Sequence, residues 1–169
     1  MRLPAAAVGS TVFFLVAPGT VALLVPWLLT DWGSGADLGV VLRGVGWLLV
    51  AIGVVGLVHS FARFVRQGLG TPAPVAPTQQ LVVTGIYRHV RNPMYLSVIA
   101  AILGQALILG SGVLLGYAVL AAVVMWAFVR LYEEPTLGRQ FGAEYAAYRA
   151  AVPGWWPRLR AWRPGQSDR

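Results

Sequence analysis

The fold is decided by residues 94–131, which read MYLSVIAAILGQALILGSGVLLGYAVLAAVVMWAFVRL. This stretch carries no charged residue before Arg130, and Gly110-Ser111-Gly112 is its only turn signal. A helix needs about 20 apolar residues to cross a hydrocarbon core of about 30 Å. Residues 94–109 and 113–131 are each close to that length, so we expect two membrane helices. Because the turn between them is so short, the sequence predicts an antiparallel helical hairpin.

Two further apolar stretches precede the hairpin. Residues 8–29 are interrupted by Pro18 and Pro26, and residues 39–64 carry one charge, Arg43, near an end where it can reach the interface. The chain has 57% hydrophobic and only 11% charged residues, with a mean hydropathy of +0.68, whereas a soluble domain has roughly 25% charged residues. We therefore predict an all-α integral membrane protein with about four transmembrane helices.

Small residues in these helices indicate where backbones can pack closely. Glycine has no side chain to separate two helices, and such residues are enriched at membrane-helix interfaces. The glycines expected to act in this way are Gly46, Gly53, Gly56 and Gly104.

The arginines predict the orientation. All 13 basic residues are Arg, and with four spans 12 of them fall on the side that holds both termini and residues 63–91. Because basic residues are enriched on the cytoplasmic side, we expect both termini and the active site to be cytoplasmic, in what the composition suggests is a bacterial inner membrane. The net charge of +7 then indicates contact with membrane lipids rather than nucleic acid.

Two segments lie outside the spans on this side. The Pro-rich residues 71–77 cannot form a continuous helix. From residue 133 an amphipathic helix is predicted, because apolar and aromatic residues recur at helical spacing and Pro153 follows them. The face consists of Leu137, Phe141, Tyr145 and Tyr148. The tryptophans Trp155, Trp156 and Trp162, beside arginines, are interpreted as an interfacial anchor. We divide the chain into N-terminal transmembrane helices, residues 1–66, and a catalytic region, residues 67–169.

The polar residues gather in two clusters. Residues 84–95 lie at the mouth of the third span, and residues 130–134, with Arg130 and Glu133-Glu134, lie at the same mouth of the fourth. The hairpin brings the clusters together. Taken singly, the arginines could be ordinary positive-inside residues, the glutamates a solvated helix end, and the tyrosines interfacial aromatics. With no Cys and two His, we expect no metal site.

The start of the third span is more specific. Pro93 suits the first turn of a helix, and Asn92 suits its N-cap. The unpaired N–H groups of such a turn can stabilise an anionic group of a ligand.

These residues resemble a known family. Residues 79–87, QQLVVTGIY, and 91–95, RNPMY, are similar to the signature of the isoprenylcysteine carboxyl methyltransferase and phospholipid methyltransferase group. Glu133-Glu134, with the residues from Leu137 to Pro153, resembles its C-terminal signature. Members are membrane methyltransferases that use S-adenosylmethionine without a Rossmann domain. This chain likewise lacks a G-x-G-x-x-G motif.

The resemblance implies a set of site residues. Glu133 would hold the amino-acid end of S-adenosylmethionine, and the C-terminal helix would cover the cofactor. The remaining cofactor-binding residues would be Gln79, Gln80, Leu81, Val82, Tyr87, Asn92, Pro93, Met94 and Tyr95. Arg130, about one residue away from a family arginine assigned to substrate, or Arg91 would hold an anionic acceptor, and Glu134 could instead accept a proton from an amine or thiol.

The implied reaction is direct methyl transfer from the sulfonium to a lipophilic or amphiphilic acceptor, leaving S-adenosylhomocysteine. The sequence leaves the acceptor and the oligomeric state open. Two alternatives remain at this stage. Membrane enal and sterol reductases share a related Arg-x-Pro-x-Tyr string and use NADPH, although paired carboxylates suit a 2′-phosphate poorly. A non-catalytic membrane scaffold would lack a pocket at the mouth of the hairpin.

Overall fold

The computed structural model describes residues 16–67 and 80–163, except for the side chains of residues 64–67. Within these ranges the chain is helical and has no strand, as predicted. The five main helices are α1 (Val16–Thr30), α2 (Gly39–Gln67), α3 (Pro93–Leu109), α4 (Gly112–Phe128) and α5 (Glu134–Ala151). Residues 8–15 of the predicted first span and the Pro-rich residues 71–77 lie outside the described residues. The division at residue 66 stays a prediction.

The prolines of α1 leave backbone carbonyls that other helices satisfy. Pro26 has no N–H to donate to the carbonyl of Ala22, one turn earlier, and the chain forms a π-helical turn over Thr20–Leu24. The Gln105 side chain on α3 donates to the Ala22 oxygen at 2.8 Å, and the Tyr117 hydroxyl on α4 donates to the Val21 oxygen at 2.9 Å. An unpaired carbonyl is costly where water is absent, so these bonds fix α1 against the hairpin.

The glycines bring α2 and α3 into direct backbone contact. A Cβ atom on Gly46 would lie 2.8 Å from the Gly104 oxygen, and one on Gly104 would lie 2.5 Å from the Gly46 oxygen. A Cβ atom on Gly53 or Gly56 would lie within 2.6 Å of Ser97. No larger residue fits at these positions without separating the helices, which confirms the predicted close approach.

The hairpin of α3 and α4 is confirmed. Gly110 ends α3 with φ +61°, a left-handed conformation that favours glycine. Ser111 is the N-cap of α4, and its side-chain oxygen accepts from the Leu114 N–H at 3.3 Å. Two residues, Gly110 and Ser111, therefore separate the two helices.

The helix surfaces are those of a membrane protein. Two helical segments, Gly39–Arg63 and Gly112–Ala151, are long and apolar enough to span a bilayer, and Val16–Thr30 and Pro93–Leu109 are shorter apolar helices. Large apolar side chains on α2 and α4 are exposed, among them Val40 at 84% and Val119 at 64%. A soluble protein rarely exposes such extended apolar surface. The count of four spans stays a prediction.

The last helix does not stop where the apolar residues end. α4 continues through a π-helical turn, Val129–Glu133, directly into α5. Within α5, Gly142 has φ +50° and ψ −121°, so the helix bends there. The predicted face of α5 packs into one cluster. This cluster contains Leu81, Val83, Leu137, Phe141, Tyr145, Tyr148, Val152 and Trp162. Trp162 is therefore buried and not an interfacial anchor, because its ring packs on that of Tyr148 at 5.4 Å.

Candidate functional site

The segment after α5 is hydrogen-bonded to the residues before α3. The Arg91 N–H donates to the Pro153 oxygen at 3.0 Å, and the Asn92 N–H donates to the Gly154 oxygen at 3.2 Å. Further along, the Arg158 N–H donates to the His89 oxygen at 2.9 Å. This pairing joins the two stretches that carry the predicted signatures.

Arg91 holds the same junction through its side chain. Its Nε donates to the Val152 oxygen at 2.9 Å, and its Nη1 donates to Glu134 Oε1 at 2.8 Å and to the Tyr145 hydroxyl at 3.0 Å. Only 12% of the side chain is exposed. Arg91 thus links the start of α3, the turn into α5 and the segment after α5.

A cavity of about 240 Å³ lies at the end of the hairpin that carries these residues. Its polar lining comes from the residues before α3 and from the π-helical turn, and its apolar lining comes from α1, α2, α3 and α4. The lining residues are Ala17, Pro18, Val21, Leu57, Tyr87, Arg91, Asn92, Pro93, Met94, Tyr95, Val98, Met125, Phe128 and Glu133. This volume lies somewhat below the roughly 300–1,000 Å³ typical of small-molecule sites.

Tyr95 and Glu133 close one wall of the cavity. The Tyr95 hydroxyl donates to Glu133 Oε2 at 2.9 Å, and the Trp155 ring lies 6.3 Å from the Tyr95 ring. Glu133 lies past Leu131, where the predicted fourth span ends. Burial raises the pKa of the Glu133 carboxyl; the hydrogen bond from Tyr95 lowers it, Glu134 raises it and Arg91 lowers it. A cationic ligand group would favour the charged form.

Asn92 and Tyr87 are further polar residues that line the cavity. Asn92 occupies the N-cap position of α3, as predicted, but its side chain makes no capping hydrogen bond. Its Nδ2 is buried and has no hydrogen-bond partner in the part of the chain that the structure describes. Buried polar atoms are almost always paired, so this donor lacks the acceptor that such atoms normally have. Burial raises the pKa of the Tyr87 hydroxyl, with smaller contributions from Tyr148 and Glu133, so Tyr87 remains a protonated donor.

The neighbouring glutamate points elsewhere. Glu134 is 6% exposed and contacts three guanidinium groups: Arg91 at 2.8 Å, Arg130 at 3.1 Å and Arg149 at 3.2 Å. Neither Arg130 nor Glu134 lines the cavity. Both line a separate groove of about 1040 Å³ on α4 and α5, which shares no lining residue with the cavity. The side chains of successive helical residues point about 100° apart, so Glu133 faces the cavity and Glu134 faces the groove.

The structure brings together seven of the predicted site residues in the cavity. These are Tyr87, Arg91, Asn92, Pro93, Met94, Tyr95 and Glu133. Gln79 lies outside the described residues. Gln80 is exposed, Leu81 packs beside Tyr145 and Tyr148, and Val82 is buried, but none of these three lines the cavity. Their roles stay predictions.

The apolar half of the lining was not predicted. Pro18 and Val21 on α1, Leu57 on α2, and Met125 and Phe128 on α4 all line the cavity. These residue types occur in any membrane helix, so the sequence does not distinguish them as cavity-lining residues. Phe128 lies five residues before Glu133, a spacing that an α-helix would place on another face, so only the π-helical turn brings the two residues to one cavity.

A family model described as phospholipid methyltransferase matches residues 41–144. The match covers more than half of the 169 residues and includes most of α2, all of α3 and α4, and both glutamates. No curated protein and no solved structure matches the chain significantly.

Proposed function

The chain belongs to the phospholipid methyltransferase family, and from this premise we propose that it transfers a methyl group from S-adenosylmethionine to a lipophilic or amphiphilic acceptor. Family membership implies a membrane methyltransferase. The cofactor, the acceptor and the residues that hold them are the proposal.

The unpaired Nδ2 of Asn92, a residue that lines the cavity, supports the proposal. Leaving a buried donor without a partner costs roughly 1–3 kcal/mol, so we propose that the Asn92 amide turns toward the cavity and meets an acceptor atom of the bound ligand. The cavity also presents a carboxylate, Glu133, and two phenol rings, Tyr87 and Tyr95. S-adenosylmethionine has matching groups: an amino-acid ammonium, a polar nucleoside and a sulfonium that aromatic faces stabilise.

We assign the parts of the cofactor accordingly. Glu133, held by the Tyr95 hydroxyl at 2.9 Å, binds the ammonium of the amino-acid end. Asn92 donates to a nucleoside or carboxylate oxygen. Gln79 and the residues up to Val82, which the family signature implicates, belong to the same proposed cofactor site.

When bound, the cofactor supplies an activated methyl group on a sulfonium that leaves as a neutral thioether. The residues of the chain have to position the two reactants and exclude water. Leu57, Val98, Met125 and Phe128 line the apolar part of the cavity, where a hydrophobic acceptor can enter from between the helices. A dry site favours a reaction in which charge disappears.

Arg91 is the proposed contact for an anionic acceptor, because it is the one arginine among the described cavity-lining residues. Its Nε and Nη1 are engaged by Val152, Glu134 and Tyr145, which fixes the plane of the guanidinium. Glu134 is therefore a positioning residue that acts through Arg91. Because Glu134 and Arg130 do not line the cavity, we assign neither of them a contact with the acceptor, and Arg130 helps to hold Glu134 in place.

Calorimetric titration of the detergent-purified protein tests the proposal. We expect S-adenosylmethionine and S-adenosylhomocysteine to bind in the micromolar range, and NADPH not to bind. Incubation with S-adenosylmethionine labelled in the methyl group should then transfer label to a membrane lipid extract. Binding of NADPH alone would replace the proposal with a reductase, and no binding of any of the three would leave a non-catalytic membrane protein.

A further inference from the structure

The groove on the far side of the twin glutamates has no part in the proposed methyl transfer. We define it as the outer groove, formed by α4, the π-helical turn and α5. Its main features are Trp126, Arg130, Leu131, Glu134, Tyr145 and Arg149. We propose that the outer groove binds an anionic membrane phospholipid, with Arg130 and Arg149 on the phosphate.

The bend at Gly142 builds this groove. Arg149 lies 15 positions after Glu134, and on a straight α-helix such residues would be about 22 Å apart along the axis. The Arg149 Nη2 instead lies 3.2 Å from Glu134 Oε2. Gly142 has φ +50° and ψ −121°, a conformation that glycine adopts far more readily than other residues. The turn it makes folds the end of α5 back, so that α4 and α5 border an open groove of about 1040 Å³.

The charges of the groove favour an anion. Among the groove-lining residues, Glu134 contributes one negative charge, and Arg130 and Arg149 contribute two positive charges, which leaves one in excess. Glu134 is 6% exposed, whereas the side chains of Arg130 and Arg149 are 47% and 46% exposed. Both arginines contact the same oxygen, Glu134 Oε2, within 3.2 Å. Their free N–H groups are close enough to bind the oxygens of a single phosphate.

The apolar part of the groove identifies the anion as a lipid rather than a soluble phosphate. Trp126 lies one helical turn from Arg130, on the side of the predicted span, and is 53% exposed. Leu131 is 80% exposed. Trp126 on α4 and Arg130 in the π-helical turn thus follow each other along the helix in the order of an acyl chain and a head group. An exposed tryptophan and leucine would contribute nothing to a site for a free ion.

Lipid-dependent thermal unfolding of the purified protein tests the inference. Phosphatidylglycerol in mixed micelles should raise the melting temperature of the wild type more than phosphatidylcholine does, and inorganic phosphate should not reproduce the effect. Each arginine near a membrane surface strengthens anionic lipid binding about fivefold, so the two should give about a twenty-five-fold preference. The double variant Arg130→Gln/Arg149→Gln should bind the two lipids equally.

Arg139→Gln is the matched control. Arg139 is an exposed arginine on α5 that lies outside the groove and hydrogen-bonds Thr136 Oγ1 at 3.2 Å. The substitution removes the same charge and should keep the lipid preference. A preference that survives in the double variant, or is lost in Arg139→Gln, would overturn the inference, and so would an equal effect of inorganic phosphate.

A measurement on the wild type guards against a double variant that fails to fold. Phosphatidylglycerol brominated on the acyl chain should quench Trp126 more strongly than brominated phosphatidylcholine, with Trp126→Phe giving the contribution of the other tryptophans. Equal quenching by the two lipids would overturn the inference. Because this readout does not involve S-adenosylmethionine, its outcome is independent of the proposed methyl transfer.

Discussion

Replacing Glu133 with glutamine separates the charge of the proposed cofactor site from its shape. A glutamine oxygen can still accept the hydrogen bond that the Tyr95 hydroxyl donates at 2.9 Å. The side-chain volume hardly changes, so the cavity and the fold should be retained. The variant loses the negative charge that we assign to the ammonium of the amino-acid end.

The structure gives the size of the effect. A hydrogen bond to a charged group contributes roughly 1.5–3 kcal/mol, which corresponds to about a 10- to 150-fold loss of affinity. S-adenosylmethionine and S-adenosylhomocysteine share the amino-acid end and differ in the charge on sulfur. If Glu133 binds that end, both ligands should therefore weaken by the same factor.

Calorimetric titration of the two ligands into wild type, Glu133→Gln and Glu144→Gln provides the assay. Glu144 is an exposed carboxylate on α5 outside the cavity, so its variant should bind like the wild type. Unchanged binding by Glu133→Gln would refute the assignment. A loss confined to S-adenosylmethionine would show that the carboxylate faces the sulfonium instead.

Three further outcomes are expected. Asn92→Leu should keep the melting temperature, because Nδ2 has no partner among the described residues. In the same titration it should weaken the binding of S-adenosylmethionine roughly 2- to 10-fold, the effect of one neutral hydrogen bond. Unchanged binding would remove Asn92 from the site. Gly104→Ala should lower the melting temperature, because its Cβ would meet the Gly46 oxygen at 2.5 Å and overpacking costs about 1–3 kcal/mol. Gly116→Ala is the control and should not lower it, because a Cβ atom there would meet nothing within 4 Å. Equal melting temperatures of the two variants would contradict the close packing of α2 and α3. Burial raises the pKa of Glu133, and the ligand ammonium needs the charged form of this carboxylate. The affinity for S-adenosylmethionine should therefore fall about tenfold per pH unit below that raised pKa, and it should not change with pH in Glu133→Gln. A wild-type affinity that does not depend on pH would contradict this.

The helical elements could be predicted from the sequence because each rests on a local signal. Gly110 and Ser111 supply the left-handed residue and the cap that the hairpin turn needs, and the hairpin then brings residues 92–95 near Glu133. The small residues at Gly46 and Gly104 marked the contact of α2 with α3 in the same way.

The rest of the site depends on contacts that leave no local signal. The hydrogen bond from the Arg91 N–H to the Pro153 oxygen joins two main-chain groups. Because almost every residue has such groups, no residue type in the sequence predicts this contact. Gly142 reads as an ordinary helical glycine, although it bends α5 and returns Arg149 to Glu134. The separation of the two glutamates between cavity and groove could not be foreseen either, because it depends on the π-helical turn.

That turn bears on how relatives of this protein should be aligned. A π-helical turn accommodates one more residue than the α-helix around it, and each residue added or removed rotates the rest of the helix by about 100°. A homologue of the same length that keeps a plain α-helix through Val129–Glu133 would thus present its acidic pair rotated by about 100° relative to this chain. A sequence alignment of the acidic pair, or of the arginine before it, can consequently match side chains that point in different directions. The orientation of the side chains in space is therefore the sounder basis for transferring roles between relatives.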